Sequence, residues 1–203
     1  MQAFRRIIGY YTKEFPKVIK KFLARSFVLF IVWKCMYLFL FSESRTIDKP
    51  LTNLVSNQSA YLLNNFKNTN EFIVRPSVSY HEIDGLTHIS ENNLIIFKNN
   101  PVIIVLDSCN GLELFVLYVG FIIAMPSVWY RKLTFSIFGI ILIHFMNILR
   151  CVGLAELAIH WVSAFHIAHH YVFKIVVYST IFFLWYWYCK KIDLSKYWYF
   201  PEI

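Results

Sequence analysis

Residues 131–150 read RKLTFSIFGIILIHFMNILR. Two cations open the stretch and an arginine closes it. The 17 residues between, Leu133 to Leu149, contain no Asp, Glu, Lys or Arg. A helix rising 1.5 Å per residue would make that run about 26 Å long, which suits the hydrocarbon layer of a bilayer. Three further runs have the same character, at residues 22–41, 110–130 and 171–189. Over all 203 residues the apolar fraction is 58%, mean hydropathy is +0.50, and Phe, Tyr and Trp make up 19%. A soluble domain of this size cannot cover so much apolar surface, so the main solvent is lipid. The reading is an all-α integral membrane protein with four transmembrane helices. Its single extracytoplasmic insert, residues 42–108, contains a short β-hairpin.

The net charge of +8 gathers at the ends of apolar runs and forms no basic face. It therefore points to membrane orientation, with no nucleic-acid partner. Arg5, Arg6, Lys13, Lys17, Lys20 and Lys21 alternate with Phe4, Ile7, Ile8, Tyr11, Phe15, Val18 and Ile19. Residues 1–21 thus read as a cytoplasmic amphipathic segment, and residues 22–203 as one membrane-embedded domain. Arg131-Lys132 and Lys190-Lys191 join the N-terminal cations on one side only if there are four crossings with both termini cytoplasmic. The expected location is the cytoplasmic (inner) membrane, with insert 42–108 and segment 151–170 sharing the outer face. Lys34 falls inside the first run and needs a polar neighbour there.

Leu94–Phe97 and Val102–Leu106 are β-branched runs separated by Lys98-Asn99-Asn100-Pro101. They predict two strands and a turn that lead the chain to Cys109. Pro126 stands near the end of the second run, where a lost backbone bond is least costly. Residues 151–165, shorter and mixed in character, predict a separate helix lying along the interface.

This topology brings Cys109, Arg150, His169 and His170 to the outer face. Cys109 at a helix start is placed where unpaired N–H groups favour the thiolate. Gly111 permits close approach of a substrate backbone. Arg150 sits on the outer face against the positive-inside trend, and a guanidinium there can pair with a thiolate or an oxyanion. Asn147 lies three residues earlier on the same helical face and is a supporting partner. A neutral imidazole from His169 or His170 can move a proton between thiol and leaving amine, and only one of two adjacent side chains can face the thiol. Glu113 and Glu156 could orient a histidine, and Glu113 could instead pair with Lys174 or Lys34. The plain alternatives are an interfacial cysteine, a snorkelling arginine and amphipathic histidines. His166, His169 and His170 invite a metal, but no second histidine box or helical carboxylate completes a site, so no cofactor is expected. Cys35 and Cys189 read as buried small hydrophobes. Spacing leaves a Cys109–Cys151 bridge open.

The ordered set Asp107-Ser108-Cys109-Asn110-Gly111-Leu112, Asn147-Ile148-Leu149-Arg150 and His169-His170 resembles the exosortase/archaeosortase family of membrane cysteine transpeptidases, as a compact bacterial member. Asn110 stands where that family usually has Ser. The resemblance implies cleavage of C-terminal sorting signals from secreted proteins. Cys109 would be the nucleophile, Arg150 the oxyanion stabiliser and His169 or His170 the proton carrier, with His169 favoured by its spacing to Phe173. Two other readings compete: a non-catalytic subunit of an export or envelope-assembly system, and a thiol-dependent acyltransferase.

Overall fold

The computed structural model describes residues 17–41, 45–83 and 86–190. Most of the expected segment 1–21, together with Lys191, lies outside the described residues. In chain order the elements are α1 Lys17–Met36, which runs on through a π-helical turn Tyr37–Phe41; α2 Asp48–Lys67; and strands β1 Phe72–Ile83, β2 Leu86–Phe97 and β3 Asn100–Val105. A 3-10 turn, Asp107–Cys109, leads into α3 Leu112–Ala124 and α4 Trp129–His160. The chain then continues through α5 Val162–Ile167, a π-helical turn Ala168–Val172 and α6 Phe173–Lys190.

Three stretches are long and apolar enough to cross a membrane: Phe22–Phe39, Trp129–His160 and the continuous run Val162–Lys190. The fourth expected span, 110–130, is helical only over the 13 residues of α3. Pro126 explains the shortening. A residue before proline is pushed out of the helical region, and Met125 has φ −70° and ψ 139°.

The interfacial helix expected at 151–165 does not form as a separate element. Residues 151–160 continue α4 without a break, giving one helix of 32 residues, about 48 Å long. Leu154, Ala155, Leu157 and Ala158 favour helix, and nothing between Arg150 and His160 removes a backbone donor. Gly153 stays because the ring of Phe173 occupies its side-chain space: an added Cβ would lie 2.5 Å from that ring. The helix stops at Trp161, with φ −142° and ψ 67°.

The apolar helices pack in alternating directions. Tyr118 of α3 fills the notch left by Gly139 of α4 and donates its hydroxyl to the Phe135 carbonyl at 2.9 Å. The Lys132 ammonium reaches the Ile123 carbonyl at 2.7 Å. Helix α3 therefore runs antiparallel beside α4, from Asn147 down to Lys132. Helix α6 returns antiparallel to α4, with Phe173 at Gly153 and Tyr188 at Phe135. Helix α1 meets α3 through Phe22 on Phe121 at one end and Lys34 on Glu113 at the other. Tyr118, Ile122, Ile143, Val177, Ile181, Leu184 and Tyr188 form the bundle core.

The insert holds more structure than the expected short hairpin. Its sheet is three-stranded and antiparallel, in the order β1-β2-β3, and it packs with helix α2. The tight turn is Lys98-Asn99 alone, both with positive φ (51° and 64°), as a two-residue hairpin loop with right-handed strand twist requires. Asn100 and Pro101 already belong to β3, and proline is tolerated there because β3 is an edge strand. Val55, Ala60, Leu63, Phe72, Ile95, Ile103 and Val105 form a second core, which Ile148, Cys151, Val152 and Ala155 of α4 complete. Helix α4 is common to both cores.

Candidate active site

The site is a turn of the chain held against the middle of α4. After β3 the backbone tightens: the Cys109 N–H donates to the Leu106 carbonyl at 2.9 Å and the Asn110 N–H to the Asp107 carbonyl at 3.1 Å. Asn110 is buried, and its side-chain oxygen accepts the Leu112 N–H at 2.8 Å, supporting the start of α3. Gly111 has φ +91°, a left-handed conformation that costs an L side chain strain. A Cβ there would also sit 3.4 Å from the Asn147 amide. The left-handed backbone is a reason for glycine at 111 beside the expected approach of a substrate backbone.

Helix α4 presents two side chains to this turn. Arg150 Nη2 donates to Cys109 Sγ at 3.4 Å, and Asn147 Nδ2 donates to the Cys109 carbonyl at 2.9 Å. Residues three apart share a helix face, so one stripe of α4 grips both ends of the cysteine. Asn147 Oδ1 and Arg150 Nε are buried without a protein partner among the described residues. Both polar atoms lie beneath a half-exposed thiol.

Opposite α4, the insert holds the residues flanking Cys109. Arg45 binds the Asp107 carboxylate through two hydrogen bonds, Nε to Oδ2 at 2.6 Å and Nη2 to Oδ1 at 2.8 Å, and Thr52 adds a third at 2.7 Å. Hydrogen bonding to Asp107 holds the Arg45 guanidinium above its ordinary pKa. Asn110 Nδ2 donates to Asp48 at 2.8 Å, and Tyr37 donates its hydroxyl to the other Asp48 oxygen at 2.8 Å.

His169 is half-buried on the π-helical turn, stacked on Phe165 with ring centroids 5.8 Å apart. His170 is exposed and packs on His166 at 4.4 Å. Among the described residues no hydrogen bond joins either histidine to Cys109 or Arg150. The Phe173 ring, four residues after His169, packs on Gly153, one turn beyond Arg150. The structure thus brings Cys109, Arg150 and Asn147 into contact, while the imidazoles pack on Phe165, on His166 and on each other.

The family description for transmembrane exosortases matches residues 19–187, from α1 through most of α6. The chain belongs to the transmembrane exosortase family. No curated protein and no solved structure matches it. The matched region spans the insert as well as most of the apolar helices.

Other expected roles are settled by contacts. Glu113 pairs with Lys34 at 3.2 Å and orients no histidine of the site, which also supplies the polar neighbour that Lys34 needs. Glu156 pairs with Lys67 at 3.0 Å and approaches His160 at 3.6 Å, away from His169 and His170. All four cysteines are free, so Cys109 and Cys151 are not bridged. Cys35 is exposed on α1 and Cys189 only half-buried, against the expectation that both are buried. Arg45, Asp48, Thr52 and Asp107 were not singled out from sequence. Their available signals were an acid two residues before the cysteine and a polar stripe at helical spacing, Asp48, Thr52, Ser56 and Ser59, all of it buried.

Proposed function

We propose that this exosortase is a cysteine transpeptidase that cleaves C-terminal sorting signals of secreted proteins at the outer face of the cytoplasmic membrane. The contact that carries the reading is the Arg150 guanidinium on the Cys109 sulfur at 3.4 Å. A cation at that distance stabilises the thiolate, and the same group can follow negative charge from sulfur to the oxyanion of a tetrahedral intermediate. Cys109 Sγ attacks the peptide carbonyl carbon after His169 or His170 takes the thiol proton. The C–N bond then breaks as the imidazolium returns that proton to the leaving amine, which yields a thioester. An acceptor amine, hydroxyl or water attacks the thioester as the neutral imidazole takes its proton, and the C–S bond breaks to release the thiolate. The imidazoles are unbonded to the thiol in the free enzyme, and such contacts commonly tighten only around substrate.

Four crossings with both termini cytoplasmic complete this reading. Arg25, Lys132 and Lys190 lie toward the end of the bundle remote from Cys109, where basic residues mark the cytoplasmic leaflet. Helix α3 runs beside α4 from Asn147 to the first turn at Lys132, which supports a full crossing despite the short helix. The test is processing of a co-expressed tagged substrate by wild-type and Cys109→Ala protein at equal abundance. The variant should leave the tag uncut, whereas normal trimming by it would remove the catalytic reading.

A further inference from the structure

Asp107 precedes Cys109 by two residues on a single 3-10 turn, which puts their backbones within about 6 Å. A carboxylate that close to the thiol poses two problems. Its charge opposes formation of the thiolate, and its two oxygens match the planar Arg150 guanidinium better than a sulfur does. The structure answers both with Arg45. Its fork occupies both Asp107 oxygens at 2.6 and 2.8 Å, and Thr52 supplies the third donor at 2.7 Å.

Arg45 is itself tightly placed. It has φ +49°, uncommon for a residue with a side chain, and its carbonyl accepts the Lys49 N–H at 2.9 Å at the start of α2. Its Nη1 also reaches Glu91 at 3.1 Å, where Lys49 is the second cation at 3.0 Å. The local group is therefore Arg45 and Lys49 against Asp48, Glu91 and Asp107. Without Arg45, one lysine would face three carboxylates.

We infer that Arg45 is a positioning residue for Cys109: it binds the Asp107 carboxylate so that the Arg150 guanidinium stays on the sulfur. The inference rests on Cys109 being the nucleophile and gives insert 42–108 a task in the chemistry. The first turn of α2 holds both flanks of the cysteine, Asp107 through Thr52 and Asn110 through Asp48. Positions 48 and 52 share a helix face, so one rigid surface sets the turn.

The test uses the full chain purified in detergent and reads the rate of iodoacetamide incorporation at the Cys109 peptide by mass spectrometry at neutral pH. This readout needs no substrate, so it separates failure here from failure of the transpeptidase reading. One uncompensated charge on the same turn as the cysteine, taken at roughly 6 Å and an intermediate effective permittivity, corresponds to about a tenfold change in alkylation rate. Arg45→Met should therefore slow alkylation about tenfold. Adding Asp107→Asn to Arg45→Met removes the competing charge and should bring the rate back to within about threefold of the parent. A parental rate in Arg45→Met, or a double variant as slow as the single, would overturn the inference. If Arg45→Met does not accumulate, the double variant decides. Accumulation with near-parental alkylation supports the charge role, and failure to accumulate shows Arg45 to be merely a structural tie.

Discussion

Replacing Arg150 by Gln removes one positive charge 3.4 Å from Cys109 Sγ and leaves a shorter, neutral polar side chain. Coulomb's law at that distance gives between about 1 and 5 kcal/mol as the effective permittivity falls from 80 to 20. Arg150 is half-buried at a site with solvent on one side, so a value of about 2 kcal/mol applies, or roughly 30-fold in the reactivity of the sulfur. The rate of iodoacetamide reaction at Cys109 should fall by about that factor at neutral pH. Arg150→Lys should recover part of the loss, because it restores the charge without the planar fork. Stopped-flow alkylation with peptide mapping measures both. Equal rates for wild type and Arg150→Gln would show that the guanidinium does not act on the sulfur, and the basis for a reactive thiol at Cys109 would be gone.

Gly139→Ala should destabilise the bundle by about 1–3 kcal/mol, because its Cβ would enter the Tyr118 ring at 2.0 Å and the helices would have to part; thermal unfolding in detergent reports the loss. A membrane-impermeant maleimide added to intact spheroplasts should label Cys109, and labelling only after permeabilisation would reverse the proposed orientation. The Lys49 hydrogen bond holds the Glu91 carboxyl below its ordinary value of 4.5. A carboxyl depressed in the folded state stabilises it above the unfolded value, and that contribution is lost as pH falls through the folded one. The tie between Glu91 and Lys49 should therefore persist at pH 4.5 and fail only below it, and Glu91→Gln should remove this acid-side step from a melting-temperature profile.

The membrane character and the contact of Asn147 and Arg150 with Cys109 were legible because each depended on a local signal. Apolar runs with few charges, flanked by cations, gave the apolar helices, and the spacing from Asn147 to Arg150 put two side chains on one face. The Lys98-Asn99 turn was legible for the same reason. Other features depended on tertiary partners. Helix α4 passes Arg150 because Ile148, Cys151, Val152 and Ala155 bury against the insert, which hydropathy cannot register. Strand β1 carries Arg75, Pro76 and Ser77, which weaken its alternation, yet Phe72 and Val74 on the same strand bury or half-bury against α2 and the sheet. Helix α2 has no apolar stripe to announce it at its start, because its inward residues there are Asp48, Thr52, Ser56 and Ser59. Those groups make sense only beside Asn110, Asp107 and Asn93.

The shared length of α4 bears on how such a chain can change over evolution. The four aliphatic or thiol side chains it lends to the core of the insert leave no seam along which that lobe could be excised. Cutting residues 45–106 away would strip the cover from a greasy flank of the helix. A trimmed descendant would have to repaint positions 148, 151, 152 and 155 with polar groups, or sink that stretch of rod into the bilayer and carry its arginine down with it.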